Sequence, residues 1–235
     1  MIGQHFKLNN MSQFLTLSDA IATHARLTPQ KIGARDSRRS LSFASWNERA
    51  SRLADALLNT GLRSGDRVGL LAYNCLEWME IYVALARAGL VAVPINFRLT
   101  GPEIAYILNN AEADAVIADA EFCDMLDSQK AELKLSSGKY FVLGDAQNTG
   151  WTSYEALISS GDPARKFNAV DPESMCALMY TSGTTGKPKG VCHTHAAMIA
   201  TGRTLAEFDQ LTPDQELLCY LPLAWVGDFL YSRAF

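Results

Sequence analysis

Arg67-Val68-Gly69-Leu70-Leu71-Ala72-Tyr73, the run from Leu76 to Arg87, and Leu90-Val91-Ala92-Val93-Pro94-Ile95 together decide the fold class. The first segment is short and apolar and follows the turn signals Gly61 and Gly65, so it reads as a buried strand. The second has helical length and the third is again a short apolar run. Strand, helix and strand in this order predict parallel pairing through a right-handed crossover.

The same alternation continues on both sides. Upstream, Phe43, Trp46, Ala50, Leu53, Ala54 and Leu57 recur at helical spacing with Asn47, Glu48, Arg49, Arg52 and Asp55 between them, which predicts a helix with one buried stripe. Downstream, helices are expected over Gly101 to Ala111, Glu121 to Leu133 and Thr194 to Phe208. Strands are expected over Ala113 to Ala118, Tyr140 to Leu143, Met175 to Tyr180 and Gly190 to His193. Thr100 suits the N-cap and Pro102 the first turn of the helix they open. Met198, Thr201, Leu205 and Phe208 line one side of the last helix. The expected class is α/β, with mostly parallel sheets and helices on both faces. Between Ser159 and Pro172, Ser-Ser-Gly-Asp-Pro and a second Asp-Pro mark a connection. The expected division is an N-terminal α/β subdomain over 1–165 and the start of a second over 166–235.

Composition narrows the function. Hydrophobic residues at 48% and charged residues at 20% belong to an ordinary globular chain of 235 residues, long enough for a substantial core. The net charge of −4, from 21 basic and 25 acidic residues, is scattered, so the footprint of a nucleic-acid binder is missing. Cys75, Cys123, Cys176, Cys192 and Cys219 have neither redox nor zinc spacing and read as reduced thiols. Met1 to Leu17 lacks the pattern of a secretory signal. The most apolar stretch, Ile81 to Ile95, is broken by Arg87 and Gly89 and falls short of a bilayer span. The cytoplasm is the expected location, with peripheral membrane contact left open; oligomeric state is not legible.

Chemistry concentrates in Met179-Tyr180-Thr181-Ser182-Gly183-Thr184-Thr185-Gly186-Lys187-Pro188-Lys189-Gly190-Val191. Its glycines let the backbone approach an anion, while the hydroxyls and two ammonium groups can meet phosphate oxygens. The spacing is not that of a Walker A loop, because Gly183 and Gly186 are too close and Pro188 follows Lys187. Nor does a G-x-G-x-x-G open a helix after a strand. A flexible linker of similar composition would not need Pro188 between two lysines.

The loop resembles, at every fixed position, the Thr-Ser-Gly-Thr-Thr-Gly-x-Pro-Lys-Gly-Val signature of the adenylate-forming superfamily. That superfamily includes acyl-CoA synthetases, peptide-synthetase adenylation domains and beetle luciferases. Leu41-Ser42-Phe43, Trp46-Asn47-Glu48, Gly65-Asp66-Arg67-Val68 and Val93-Pro94-Ile95-Asn96 with Arg98 and Leu99 resemble early segments of bacterial acyl-CoA synthetases and read as structural. In Tyr220-Leu221-Pro222-Leu223-Ala224-Trp225-Val226-Gly227-Asp228, similar to a second family motif, Trp225 stands where the family often has His. Trp225 is a candidate acyl-pocket residue, and a tryptophan that only packs is an equal reading.

The resemblance implies activation of a carboxylate by ATP to an acyl-adenylate, then thioester formation with coenzyme A, with magnesium on the polyphosphate. It implies that Thr181, Ser182, Thr184 and Thr185, with the backbone of Gly183 and Gly186, bind the β and γ phosphates. Lys189 adds a charge, and Lys187, at a variable position, is read as solvent-exposed. The acid it suggests is a medium- or long-chain fatty acid. His193 and His195 read as structural, and no metal ligand is assigned. Family members continue past the equivalent of Phe235 into a domain with the catalytic lysine. This chain therefore reads as the incomplete N-terminal region of the fold, inactive alone, with no catalytic residue assigned. The competing expectation is a non-catalytic relic or a module that binds nucleotide or a partner.

Overall fold

The computed structural model describes residues 16–135, 139–145, 150–181 and 186–225. Ahead of the anticipated elements, Thr16 and Asp19 close a reciprocal capping box on α1 (Leu17–Leu27). The strands β1 (Ile32–Arg35) and β2 (Ser40–Ser42) form a separate antiparallel pair. Ser42 then caps α2 (Phe43–Asn59), its hydroxyl accepting from the Ser45 amide at 3.2 Å.

The predicted βαβ unit appears as β3 (Arg67–Leu71), α3 (Glu77–Ala88) and β4 (Val91–Pro94), with β3 and β4 parallel. It continues through α4 (Gly101–Asn110), capped by Thr100 and Glu103, to β5 (Ala113–Asp119). After a 3₁₀ turn come α5 (Cys123–Ser128), β6 (Tyr140–Leu143), β7 (Thr152–Ser153), α6 (Tyr154–Ser160), β8 (Met175–Thr181), β9 (Lys189–Thr194) and α7 (His195–Phe208). Among the described residues the main sheet has seven strands in the order β7-β6-β5-β3-β4-β8-β9.

Successive residues of its central strands serve two cores, as expected for a parallel sheet covered on both sides. Ala115 and Ile117 of β5 pack with the helices α2 and α3; Val116 and Ala118 pack with α4 and α5. Leu70 likewise joins the first core and Leu71 the second. The α/β class with helices on both faces is therefore realised.

The two strands flanking the glycine-rich loop pair antiparallel, so the loop joins a hairpin. Two expectations are corrected. The helix anticipated from Glu121 to Leu133 stops at Ser128, because the Asn109 side chain binds the next segment: its Nδ2 donates to the Glu132 carbonyl at 2.8 Å and its Oδ1 accepts from the Lys134 amide at 3.0 Å. On α7 the buried positions are His195, Met198 and Gly202, while Phe208 is 82% exposed, so the anticipated stripe is not the packed side. The strand before the loop, β8, joins the main sheet beside β4, so no sheet boundary coincides with residue 165.

Candidate functional site

The direction of winding reverses between β3 and β5. The chain moves from β3 outward to β4 through α3, then back across β3 to β5 through α4, and the two helices pack on opposite faces. Open α/β sheets bind ligands in the crevice that such a reversal leaves outside the strand ends. Tyr73 and Asn74 follow β3 there and Phe122 follows β5, while Asn96 to Arg98 follow β4, the neighbour of β3 on the other side. Tyr73 meets Phe97 edge to face and Phe122 at a tilt, with centroids 4.8 and 5.0 Å apart, and is itself 41% exposed.

The glycine-rich loop leaves the sheet at this same carboxyl edge, since β8 runs parallel to β4. Of the sequence-predicted phosphate residues, Thr181, Gly186 and Lys189 lie among those described; Ser182, Gly183, Thr184 and Thr185 lie outside them. Thr181 and Lys189 are direct cross-strand partners, so the two ends of the signature meet. Gly186 has φ +102°, and nothing lies within 4 Å of where its Cβ would be, which is the open, left-handed backbone that suits close approach of an anion. Among the described residues, no carboxylate pairs with Lys187 or Lys189. Lys187 is exposed, as read from the sequence, and its ammonium lies 5.4 Å over the Tyr106 ring. Tyr180, just before the loop, donates from its hydroxyl to Asn110 Oδ1 at 2.7 Å and ties β8 to α4.

Trp225 is 41% exposed and reaches the same edge from far along the chain. Its ring packs on the Arg98 guanidinium at 5.7 Å, which also lies 5.0 Å over Phe97. The segment before it is fixed by Asn74, whose Nδ2 donates to the Leu221 carbonyl at 2.7 Å and whose Oδ1 accepts from the Leu223 amide at 2.9 Å. Sequence reasoning assigned no role to Asn74 and read Arg98 as structural. Neither belongs to a periodic pattern or to the loop.

His193 and His195 do not converge on a ligand set, and no group of three or more His, Cys, Asp or Glu that could hold a metal occurs among the described residues. His195 is fully buried at the first turn of α7, with neither ring nitrogen hydrogen-bonded. Burial pushes its pKa down, partly offset by Asp19. Burial lowers His193 too, and burial plus the nearby Lys31 lowers His24. A histidine depressed in the fold binds its proton more readily when unfolded, so its contribution is intact above the ordinary value of about 6.5 and is lost as pH falls through it. The melting temperature is therefore expected to drop on acidification through this window, with a shallower slope in His195→Gln. An unchanged slope in that variant would show that His195 does not titrate with unfolding.

No helix among the described residues is long and apolar enough to cross a membrane. With this geometry in place, relatives add a second line of evidence. The chain is 35% identical over 214 residues to an indoleacetate–CoA ligase of Aromatoleum aromaticum, covering 91% of this chain and 41% of the relative. It is 38% identical over 178 residues to a medium-chain-fatty-acid–CoA ligase of Ectopseudomonas oleovorans, covering 71% and 32%. The chain thus spans about two fifths or less of the length of these relatives. In fold it is similar to the crystal structure of a long-chain-fatty-acid–CoA ligase from Archaeoglobus fulgidus, with a TM-score of 0.83 at 24% identity, covering 93% of this chain and 44% of that one. The sequence profile of AMP-binding enzymes matches residues 21–232, nearly the whole chain and the loop with it, and the chain belongs to that family.

Proposed function

We propose that this chain carries the polyphosphate-binding part of an AMP-forming acid–thiol ligase, with activation of the acid completed by further polypeptide. The observation that carries this reading is the pairing of Thr181 with Lys189, which brings both ends of the signature loop together at the carboxyl edge of the sheet. A carboxylate attacking the α-phosphate of ATP approaches a polyanion, and pyrophosphate must leave. Fixed N–H groups, hydroxyls and cations near the β and γ phosphates stabilise the charge that develops. In this chain Thr181, Ser182, Thr184 and Thr185, the backbone of Gly183 and Gly186, and the Lys189 ammonium take that role. Magnesium arrives on ATP as part of the substrate, and coenzyme A is the acceptor thiol.

A medium- or long-chain fatty acid is the proposed substrate. The exposed rings of Tyr73 and Trp225 offer apolar surface beside the loop, and one relative is named for medium-chain acids. That 166–235 begins a second α/β unit, one that shares the main sheet through β8 and follows the connection between Ser159 and Pro172, remains part of this proposal.

Lys189→Ala and Thr184→Ala test the cradle. Each should weaken MgATP binding by about 1–3 kcal/mol, the range for charge-assisted contacts. Calorimetric titration of the wild-type chain and both variants reads this directly. Equal affinities in all three would refute the assignment.

A further inference from the structure

The crevice at the reversal beside β3 is flanked, on the β4 side, by a segment from far along the chain, and the side chains of Asn74 and Arg98 hold that segment there. Asn74 grips it by a two-point amide contact, accepting from the Leu223 N–H at 2.9 Å and donating to the Leu221 carbonyl at 2.7 Å. A side chain that reads both a donor and an acceptor of the backbone fixes orientation as well as position. From below, the Tyr82 hydroxyl donates to the Leu223 carbonyl at 3.3 Å, and Leu223 itself is buried in the core. A turn follows, closed by the Trp225 amide donating to the Pro222 carbonyl at 2.8 Å. At its end, Arg98 lies against the rings of Phe97 and Trp225 and makes no ion pair among the described residues. Arg98 follows β4 and Asn74 follows β3, so two neighbouring strands contribute one tether each.

We propose that Asn74 and Arg98 are positioning residues that hold Leu221 to Trp225 over the crevice and thereby set which carboxylic acids it admits. This rests on the ligase reading above. The apolar part of the acid lies on the face made by Tyr73, Phe97 and Trp225. Loosening either tether lets Trp225 move and widens or collapses that face, without touching the phosphate loop.

The test uses the whole 235-residue chain. Trp225 is 41% exposed, whereas Trp46, Trp78 and Trp151 are exposed by 5%, 1% and 8%, so acrylamide quenching of tryptophan fluorescence reports mainly on Trp225. Asn74→Asp keeps the acceptor for Leu223 but sets a carboxylate oxygen against the Leu221 carbonyl. Arg98→Met removes the guanidinium and keeps an apolar stem, and Arg98→Lys is the conservative control. Binding of octanoate, acetate and MgATP is titrated in each.

Quenching should rise in Asn74→Asp and Arg98→Met. The preference for octanoate over acetate should change by about fivefold, the scale of one net hydrogen bond. MgATP affinity should stay put, and Arg98→Lys should recover most of the wild-type preference. Unchanged quenching would show that these side chains do not hold the segment and would overturn the proposal. Altered quenching with an unchanged acid preference would reduce them to structural contacts and overturn it as well. A wild-type chain that binds MgATP but responds to neither acid would overturn the ligase reading together with this proposal, while the quenching comparison would still decide whether the tethers exist.

Discussion

Glu80→Ala is expected to lower the stability of the chain by about 3–5 kcal/mol, the cost of removing one partner from a buried ionic network. Glu80 is fully buried on α3, and each of its oxygens is shared. Oε1 accepts from Arg39 at 3.0 Å and from Arg49 Nε at 2.8 Å; Oε2 accepts from Arg49 Nη2 at 3.0 Å and from the Tyr154 hydroxyl at 2.9 Å. Burial and the adjacent Glu80 carboxylate hold the Tyr154 pKa well above its ordinary value, so this hydroxyl stays protonated and donates. Alanine would leave that buried hydroxyl without its acceptor and strip one of two carboxylate partners from each guanidinium, Arg39 keeping Glu77 at 2.8 Å and Arg49 keeping Glu155 at 2.6 Å. The network joins α2, α3 and α6, which is the side of the sheet opposite α4 and α5. Urea denaturation followed by circular dichroism measures the loss. The comparison is Glu112→Ala, whose pairing with Arg67 involves a side chain 82% exposed and should change stability by no more than about 1 kcal/mol. Equal losses in the two variants would show that the Glu80 network is no stronger than a surface pair.

Gly161→Ala is expected to cost about 3 kcal/mol, at the upper end of the range for overpacking. An added Cβ would stand 1.9 Å from the Arg52 carbonyl oxygen and 2.7 Å from its carbon. Both are backbone atoms in the middle of α2, so no side-chain rotation relieves the clash. The contact is reinforced because Arg52 Nη1 donates to the Gly161 carbonyl at 3.1 Å. Gly161 itself has ordinary extended dihedrals, φ −86° and ψ 148°, so the requirement is for space and not for conformation. A variant melting within a degree or two of wild type would mean that the connection after α6 can lift away from α2 without penalty.

Gly161 also shows where the sequence stops informing. Within Ser-Ser-Gly-Asp-Pro it reads as a turn or linker glycine, and nothing local shows that another helix lies against it. The strands from β3 to β6 were legible because each is short, largely apolar and bounded by turn residues, and Thr100 with Pro102 marks the start of α4. The hairpin β1–β2, the two-residue strand β7 and helix α6 carry too few periodic residues to register. The antiparallel turn at the loop was not legible, because apolar runs look alike whichever way the strand runs. For the candidate site, the loop was legible as a motif with a chemical rationale. Asn74 and Arg98 were not, because their roles depend on a segment almost 150 or 130 positions away meeting the end of the sheet, about the separation |i−j|=149 of the Asn74–Leu223 contact.

The central claim, that the loop after β8 receives the polyphosphate of ATP, is tested most directly by amide hydrogen exchange of the 235-residue chain with and without MgATP. Slowed exchange confined to residues 181–190, with α1 and α2 unchanged, is the predicted result, since these amides would turn toward bound phosphates. Saturating MgATP with no change in this segment, or with protection only elsewhere on the chain, would contradict it.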